Sequence, residues 1–187
     1  MHSRRLYACV VAAVLAVASV AALIASDSLN IRLRDDCDPA TFNAAVGDGT
    51  CVGDGDTTFA DFLAEFQETG RVEKWRFNND HAGVDRGTAI GLTNRGGETH
   101  TFTKVAEFGG GIIPVLNTRL AASELPFAPE CGTPGVGGAP GQLAPPTDAN
   151  LIVPAGGSGE TGHLTKRGTV RFQCCIHPWM RAEVTVK

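Results

Sequence analysis

Apolar and polar residues alternate most clearly in the C-terminal part of the chain, over residues 169–174 and again over 182–187. Successive side chains of a β-strand point to opposite faces of a sheet, so each segment predicts a strand with one buried face. Cys174 lies on the apolar face of the first strand, together with Phe172. Cys175 is expected on the polar face, unless the strand has already ended.

The same alternation recurs earlier in the chain, where Trp75 and Phe77 share one face of a segment and Ile90 and Leu92 share a face of another. His100 then follows a Gly-Gly turn and begins a further alternating segment. Short strands separated by turns, in this order, predict an all-β fold. We interpret it as a Greek-key antiparallel β-sandwich.

A helical pattern precedes these strands. Four apolar residues recur there at helical spacing: Phe59, Phe62, Leu63 and Phe66. Thr58 and Asp61 stand three positions apart, which is the spacing of a side-chain cap at the start of a helix. The pattern predicts a short helix that packs on the main domain. We therefore interpret residues 27–70 as an N-terminal extension of a β-domain that spans residues 71–187.

Residues 108–162 depart from the alternating pattern. They are rich in Gly and Pro, with three consecutive glycines at 109–111 and paired prolines at 145–146. This composition favours turns and irregular loops over regular structure. Unstructured segments of this length are uncommon inside a domain. We interpret residues 108–162 as a long insertion in the β-domain.

The N-terminal segment, residues 1–26, has the composition of an export signal. Arg4 and Arg5 precede an uncharged run, residues 6–26, that is rich in Ala, Val and Leu. A charged start followed by an apolar run is typical of a signal peptide, but this run also has the length of a membrane span. Cleavage and retention as a membrane tether both stay open. Either outcome places the β-domain outside the cytoplasm, secreted, periplasmic or anchored to the outer face of the membrane.

Charge excludes one class of partner. The 187 residues carry a net charge of −4, and no basic stripe runs along any segment. Nucleic-acid-binding domains usually present such a stripe to the phosphate backbone. We therefore predict no nucleic-acid partner.

Residues 174–180 bring three metal-binding side-chain types into one short segment. Cys174 offers a thiolate, His177 an imidazole and Met180 a thioether. Soft sulfur ligands together with imidazole suit copper or zinc rather than magnesium or calcium. This loop is therefore the candidate functional site of the chain.

The spacing Cys174-x-x-His177-x-x-Met180 resembles the blue copper proteins, or cupredoxins, of the plastocyanin and amicyanin type. In that family a second histidine comes from an earlier strand, and the matching residue here is His100, after Asn94 and the Gly-Gly turn. The resemblance implies one copper ion that cycles between Cu(I) and Cu(II). It also implies His100, Cys174 and His177 as strong ligands and Met180 as a weak axial one.

The resemblance carries further expectations. The family passes single electrons between a protein donor and a protein acceptor, and the edge of His177 would be the exit for the electron. Pro178 and Trp179 would then form an apolar docking patch around it. One residue departs from the family pattern: Thr101 stands where an Asn usually braces the ligand loops, and a hydroxyl replaces only part of the hydrogen bonding of an amide.

The cysteine count fits this ligand set. Beyond the single cysteine of the leader, five remain, and an odd number leaves one thiol unpaired. Copper ligation by Cys174 would account for it. Cys37 and Cys51 bracket a short polar segment and form a natural pair in an oxidising compartment. Cys131 and Cys175 would then form the second bridge and tie the insertion to the metal end, although the sequence alone establishes neither pairing.

Other metal centres and a metal-free module fit the sequence less well. A dinuclear copper centre needs two loop cysteines separated by three residues, whereas Cys174 and Cys175 are adjacent. A multicopper oxidase carries His-x-His pairs, which this sequence lacks, and zinc rarely takes a methionine. A metal-free interaction module with a Cys174–Cys175 disulfide would leave the four-residue pattern without a purpose. A non-redox copper carrier or copper-resistance protein on the same fold stays open.

Catalysis has no support in the sequence. It contains no recognisable nucleophile and base pair, and the four proposed ligands leave no open coordination position. We therefore predict that the protein is not an enzyme.

Overall fold

A computed structural model describes residues 28–118 and 126–187, and the predicted leader, residues 1–26, lies outside these ranges. The strands and helices are, in chain order, β1 (Asn30–Arg34), α1 (Pro39–Val46), α2 (Phe59–Thr69), β2 (Arg76–Asn78), β3 (His81–Val84), β4 (Gly91–Asn94), β5 (His100–Val105), α3 (Pro114–Asn117), β6 (Gly132–Thr133), β7 (Gln142–Leu143), β8 (Asn150–Val153), β9 (Ser158–Glu160), β10 (Gly168–Gln173) and β11 (Arg181–Val186).

Two main sheets form the body of the molecule. One has four strands in the spatial order β2-β1-β4-β9, and the other has five in the order β3-β11-β10-β5-β8. A single apolar core joins Leu33 and Leu92 of the first sheet to Phe102 and Val184 of the second. The arrangement is a β-sandwich, and the predicted all-β class is confirmed.

Aromatic side chains fill the middle of this sandwich. The rings of Phe77 in β2 and Phe102 in β5 meet edge to face across the two sheets, with centroids 5.2 Å apart. Phe102 also stacks on Phe172 of the neighbouring strand β10 at 4.3 Å. Both geometries are favourable for aromatic pairs. The alternation at 169–174 and 182–187 predicts strands β10 and β11 correctly.

The sheets are mixed rather than wholly antiparallel, which corrects one part of the sequence prediction. β1 pairs with β4 in parallel, and β3 pairs with β11 in parallel. Parallel neighbours need a long crossover connection. Alternation within a strand reports which face is buried and carries no information on the direction of the neighbouring strand.

The boundary predicted at residue 70 does not separate an extension from the sandwich. β1, which lies within residues 27–70, is an inner strand of the four-stranded sheet and pairs with both β2 and β4. Ile31 and Leu33 point into the core and are fully buried. Residues 71–187 alone would therefore lack an inner strand of one sheet.

The predicted helix is present as α2, and Thr58 caps it by accepting a hydrogen bond from the backbone N–H of Asp61. A second helix, α1, comes before it, and the Cys37–Cys51 disulfide links the segments on either side of α1. Phe42 of α1 contacts Phe62 of α2 edge to face, with ring centroids 5.5 Å apart. In the described ranges, no helix has the length and apolarity needed to cross a membrane.

The predicted insertion, residues 108–162, is not confirmed as a single excursion from the domain. Its last part supplies β8 and β9, which are edge strands of the two main sheets. The part that leaves the sandwich contains α3 and the two-stranded sheet β6-β7. A second apolar cluster, which includes Ile112 and Cys131, packs this part of the chain against one end of the sandwich.

The position of β1 gives a first prediction. Leu33→Ala removes a fully buried side chain and should lower the free energy of unfolding by about 2–5 kcal/mol, because the cavity is added to the lost burial. Arg34→Ala, one position along on the exposed face, should stay within about 0.5 kcal/mol of the parent protein. Urea unfolding measures both, and equal effects would contradict the inner position of β1.

Candidate metal centre

Three side chains that could bind a metal ion converge at one end of the sandwich. The Sγ atom of Cys174 lies 3.9 Å from Nδ1 of His100 and 4.0 Å from Nδ1 of His177. A potential ligand atom from each of the three lies within 4.8 Å of the others, and all three residues are buried. The structure therefore brings together the two histidines and the cysteine that the sequence singles out.

Neighbouring strands place these groups. His100 is the first residue of β5, and Cys174 directly follows β10, which pairs with β5. The loop then closes tightly: Met180 N–H donates to the carbonyl of His177, and Cys174 N–H donates to the carbonyl of Met180, each at 2.9 Å. This short closure turns His177 back toward Cys174.

Met180, the fourth predicted residue, ends the same loop. Its side chain is almost fully buried, in the core cluster that also contains Cys174. The backbone hydrogen bond from Cys174 to Met180 fixes the two ends of the loop against each other.

The sulfur atom of Cys174 is a hydrogen-bond acceptor from the backbone. The N–H groups of Thr101 and His177 point to it at 3.4 Å and 3.5 Å. Burial opposes ionisation of the thiol, but hydrogen bonds and charge from His100 and His177 outweigh it and lower the pKa of Cys174 well below its ordinary value. The thiolate, which is the form that binds metals, is therefore favoured here.

His100 carries the opposite shift. Burial disfavours the imidazolium, but hydrogen bonds to Asp35 and Cys174 and the charges of both raise the pKa of His100 to about 10. In the absence of a metal, a proton on His100 thus balances the buried thiolate. A cation placed between Nδ1 and the sulfur would take over that role.

Two carboxylates that sequence reasoning missed lie behind the imidazole rings. Asp35 Oδ2 is 2.7 Å from Nε2 of His100, and both side chains are fully buried. Glu98 Oε2 is 3.6 Å from Nε2 of His177 and also accepts a hydrogen bond from the indole N–H of Trp75. Each histidine therefore turns Nε2 to a carboxylate and Nδ1 to Cys174.

The two carboxyl groups differ in their surroundings. Burial raises the pKa of both, but for Asp35 the hydrogen bond and charge of His100, with two backbone N–H groups, reverse the effect and lower the pKa. For Glu98 burial dominates, and its pKa stays raised. Asp35 is thus the carboxyl group that more readily holds a negative charge beside the cluster.

His177 does not present an exposed edge to solvent. It is only 4% exposed, and aromatic rings surround it. Phe62 of α2 lies 6.3 Å from its ring, Trp75 lies 6.5 Å away and Trp179 lies 5.5 Å away. Trp179 is itself half-buried against Phe66. Phe62 and Phe66 lie on the apolar side of α2. They pack on His177 and Trp179 of the ligand loop, and α2 therefore covers the site.

The residue after Cys174 is held at three points. Cys175 forms a disulfide with Cys131, its N–H donates to the hydroxyl of Thr101 at 2.7 Å, and its carbonyl accepts from the N–H of Ile112 at 2.8 Å. Gly111 approaches so closely that a Cβ there would meet the Cys175 carbonyl oxygen at 2.2 Å. The predicted disulfides, Cys131–Cys175 and Cys37–Cys51, are both present.

Thr101 therefore does brace the ligand loop, through its hydroxyl. Asn94, which precedes the Gly-Gly turn, supplies the amide bonds: its side chain donates to the carbonyls of Glu98 and Val153 and accepts from the N–H of Gly96. Thr101 thus holds the ligand loop, and Asn94 holds the turn that leads to His100.

The donor set fits a thiophilic metal ion. Two imidazole nitrogens and a thiolate face one another in a buried space, and Cys174 is the free cysteine of the described residues. Such ligands suit copper better than magnesium or calcium, which prefer oxygen.

The Thr101 hydroxyl gives a second prediction. Thr101→Val keeps the shape of the side chain but leaves the buried N–H of Cys175 without its acceptor. The free energy of unfolding should fall by about 1–3 kcal/mol, the usual cost of an unsatisfied buried group. Thr185→Val, at an exposed position on β11, is the matched control and should change stability by less than about 0.5 kcal/mol. A loss no larger than that of the control in urea unfolding would show that the brace is unimportant.

Comparison with known proteins identifies similar structures but no similar sequences. No protein-family model matches the chain, and no curated protein matches it. A purple cupredoxin from Nitrosopumilus maritimus is similar with 16% identity and a TM-score of 0.38, over 86% of this chain and 100% of the other. An oxidised plastocyanin from Dryopteris crassirhizoma has 16% identity and a TM-score of 0.38, over 84% of this chain and 99% of the other.

A reduced Cu(I) form of amicyanin is also similar, with 18% identity and a TM-score of 0.35, over 63% of this chain and 78% of the other. The geometry of the site, rather than this similarity, supports the function proposed below. These three structures are a purple cupredoxin, a plastocyanin and an amicyanin, proteins of the family that the Cys-x-x-His-x-x-Met loop resembles.

Proposed function

We propose that this chain binds one copper ion and carries single electrons between extracytoplasmic redox proteins. His100, Cys174 and His177 would be the strong ligands and Met180 the weak axial one. The observation that carries the proposal is the convergence of two imidazole Nδ1 atoms on one buried thiolate, at 3.9 and 4.0 Å from its sulfur. A copper ion in such a set can accept and release one electron without a large change of geometry.

The surrounding residues support this use of the site. The backbone N–H groups of Thr101 and His177 hold the Cys174 sulfur in place, so the ligands need little rearrangement when the charge of the site changes. Phe62 and Trp75 exclude water from His177. A dry shell and fixed ligands are the features by which a protein sets the reduction potential of such a centre.

The location outside the cytoplasm is part of the proposal. Two disulfides are of the kind that persist in oxidising compartments and are rare in the cytosol. The apolar run at residues 6–26 would direct export or act as a tether. The donor and acceptor would be proteins, since His100, Cys174 and His177 are buried.

A copper titration tests the binding half of the proposal. Addition of Cu(II) should produce an intense visible absorption band, from charge transfer between the thiolate and the metal, that saturates at one copper per chain. Cys174→Ser should abolish the band, because the sulfur is its source. His81→Ala changes an exposed histidine away from the cluster and should leave the band unchanged. A band that survives Cys174→Ser would contradict the ligand assignment.

Voltammetry distinguishes the electron carrier from a non-redox copper carrier. An electron carrier should show a reversible one-electron wave and keep its copper, in both oxidation states, against a competing chelator. The burial of all three strong donors favours this outcome, because exchange with solvent requires the site to open. Rapid loss of copper to the chelator in one oxidation state would instead support the carrier function.

A further inference from the structure

We propose that Asp35 is a positioning residue for the metal centre, which fixes the donor atom of His100 and lowers the reduction potential of the bound copper. The inference rests on the proposed function and deepens it. It concerns a residue outside the ligand loop and outside the four ligands, at the end of the inner strand β1.

Hydrogen bonds hold the Asp35 carboxylate in a fixed position. Its Oδ2 atom contacts Nε2 of His100 at 2.7 Å and accepts the N–H of Glu98 at 3.1 Å. Its Oδ1 atom accepts the N–H groups of Gly97 at 2.8 Å and Cys37 at 3.3 Å. The side chain is fully buried. Four hydrogen bonds to two oxygens leave the carboxylate little freedom to rotate or shift.

The first consequence concerns the tautomer of His100. A carboxylate at Nε2 requires a proton on that nitrogen, because two acceptors cannot share a hydrogen bond. The lone pair is then on Nδ1, the atom that faces Cys174. Carboxylate partners of this kind orient metal-binding histidines and raise their basicity.

The second consequence concerns charge. Cu(II), the Cys174 thiolate and the Asp35 carboxylate sum to zero, whereas Cu(I) with the same groups leaves one negative charge in a buried site. An uncompensated buried charge is unfavourable, so the Asp35 charge stabilises the oxidised form relative to the reduced form. A lower reduction potential follows.

Glu98 lies near His177, but this contact is weaker than the contact between Asp35 and His100. Its distance to Nε2 of His177 is 3.6 Å, which is longer than a hydrogen bond, and its oxygen is shared with the indole of Trp75. Asp35 is therefore the carboxylate that we expect to position a ligand of the metal.

The experiment compares Asp35→Asn with Asp36→Asn in the copper-loaded full chain. Asp36 is the next residue and loses the same charge, but it is partly exposed and pairs with Lys74. Asp35→Asn should raise the reduction potential and weaken copper affinity by about 10- to 100-fold, as for other partners of metal-binding histidines. Asp36→Asn should leave both unchanged. Circular dichroism checks that each variant is folded.

The outcomes separate this inference from the proposed function. If the parent chain shows no thiolate-to-copper band, the proposed function fails and the inference fails with it. If the parent chain binds copper and Asp35→Asn is folded with the parent potential and affinity, the inference alone is overturned. The same holds if Asp36→Asn raises the potential equally, because the effect would then be one of net charge.

A measurement on the parent chain decides the case in which Asp35→Asn does not fold. In the Cu(I) form, which is diamagnetic, proton–nitrogen NMR correlation should find a proton on Nε2 of His100 that exchanges slowly with water. That result supports the assignment of Asp35 as its acceptor. An unprotonated Nε2, or one whose proton exchanges at the rate of an exposed histidine such as His81, would overturn it.

Discussion

Two adjacent cysteines on one strand end must point in different directions, and the rest of the site depends on how this protein uses that constraint. Cys174 turns into the sandwich toward two histidines, and Cys175 turns away to a disulfide with Cys131. The second cysteine is therefore an anchor for the first. The Thr101 hydroxyl and the Ile112 N–H hold its backbone, so groups that bind Cys175 also help to set the position of the Cys174 sulfur.

Buried charge is the second theme of the structure. A thiolate and a carboxylate lie in an apolar interior, where isolated charges are costly. His100 lies between them and contacts both, through Nδ1 and Nε2. A proton on His100 would balance one of these two negative charges, and a divalent cation would balance both. The buried polar groups thus define a site that is complete only with a positive charge inside it.

The parts of the fold and site that could be predicted from the sequence are those encoded locally. The alternation around Phe172, the capped stripe of α2 and the spacing of Cys174, His177 and Met180 each lie within a few residues of one another. Apart from the pairing of His100 with Cys174 and the two disulfides, which the family resemblance and the cysteine count indicated, contacts between distant segments could not be predicted. Asp35 and His100 are separated by 65 positions, and no local pattern marks an aspartate at a strand end as a partner of a histidine. The direction of β1 against β4 and the covering of His177 are likewise results of tertiary packing.

The aromatic cover over His177 has a consequence for how a metal ion enters and leaves. Phe62, Trp75 and Trp179 close the side of the ligand loop at which the histidine would otherwise meet water. Exchange of an ion held there would therefore require a local opening of this cover, of which the segment with α1 and α2 is a part. The Cys37–Cys51 bridge restrains this segment, so the cover would slow both the entry and the release of an ion.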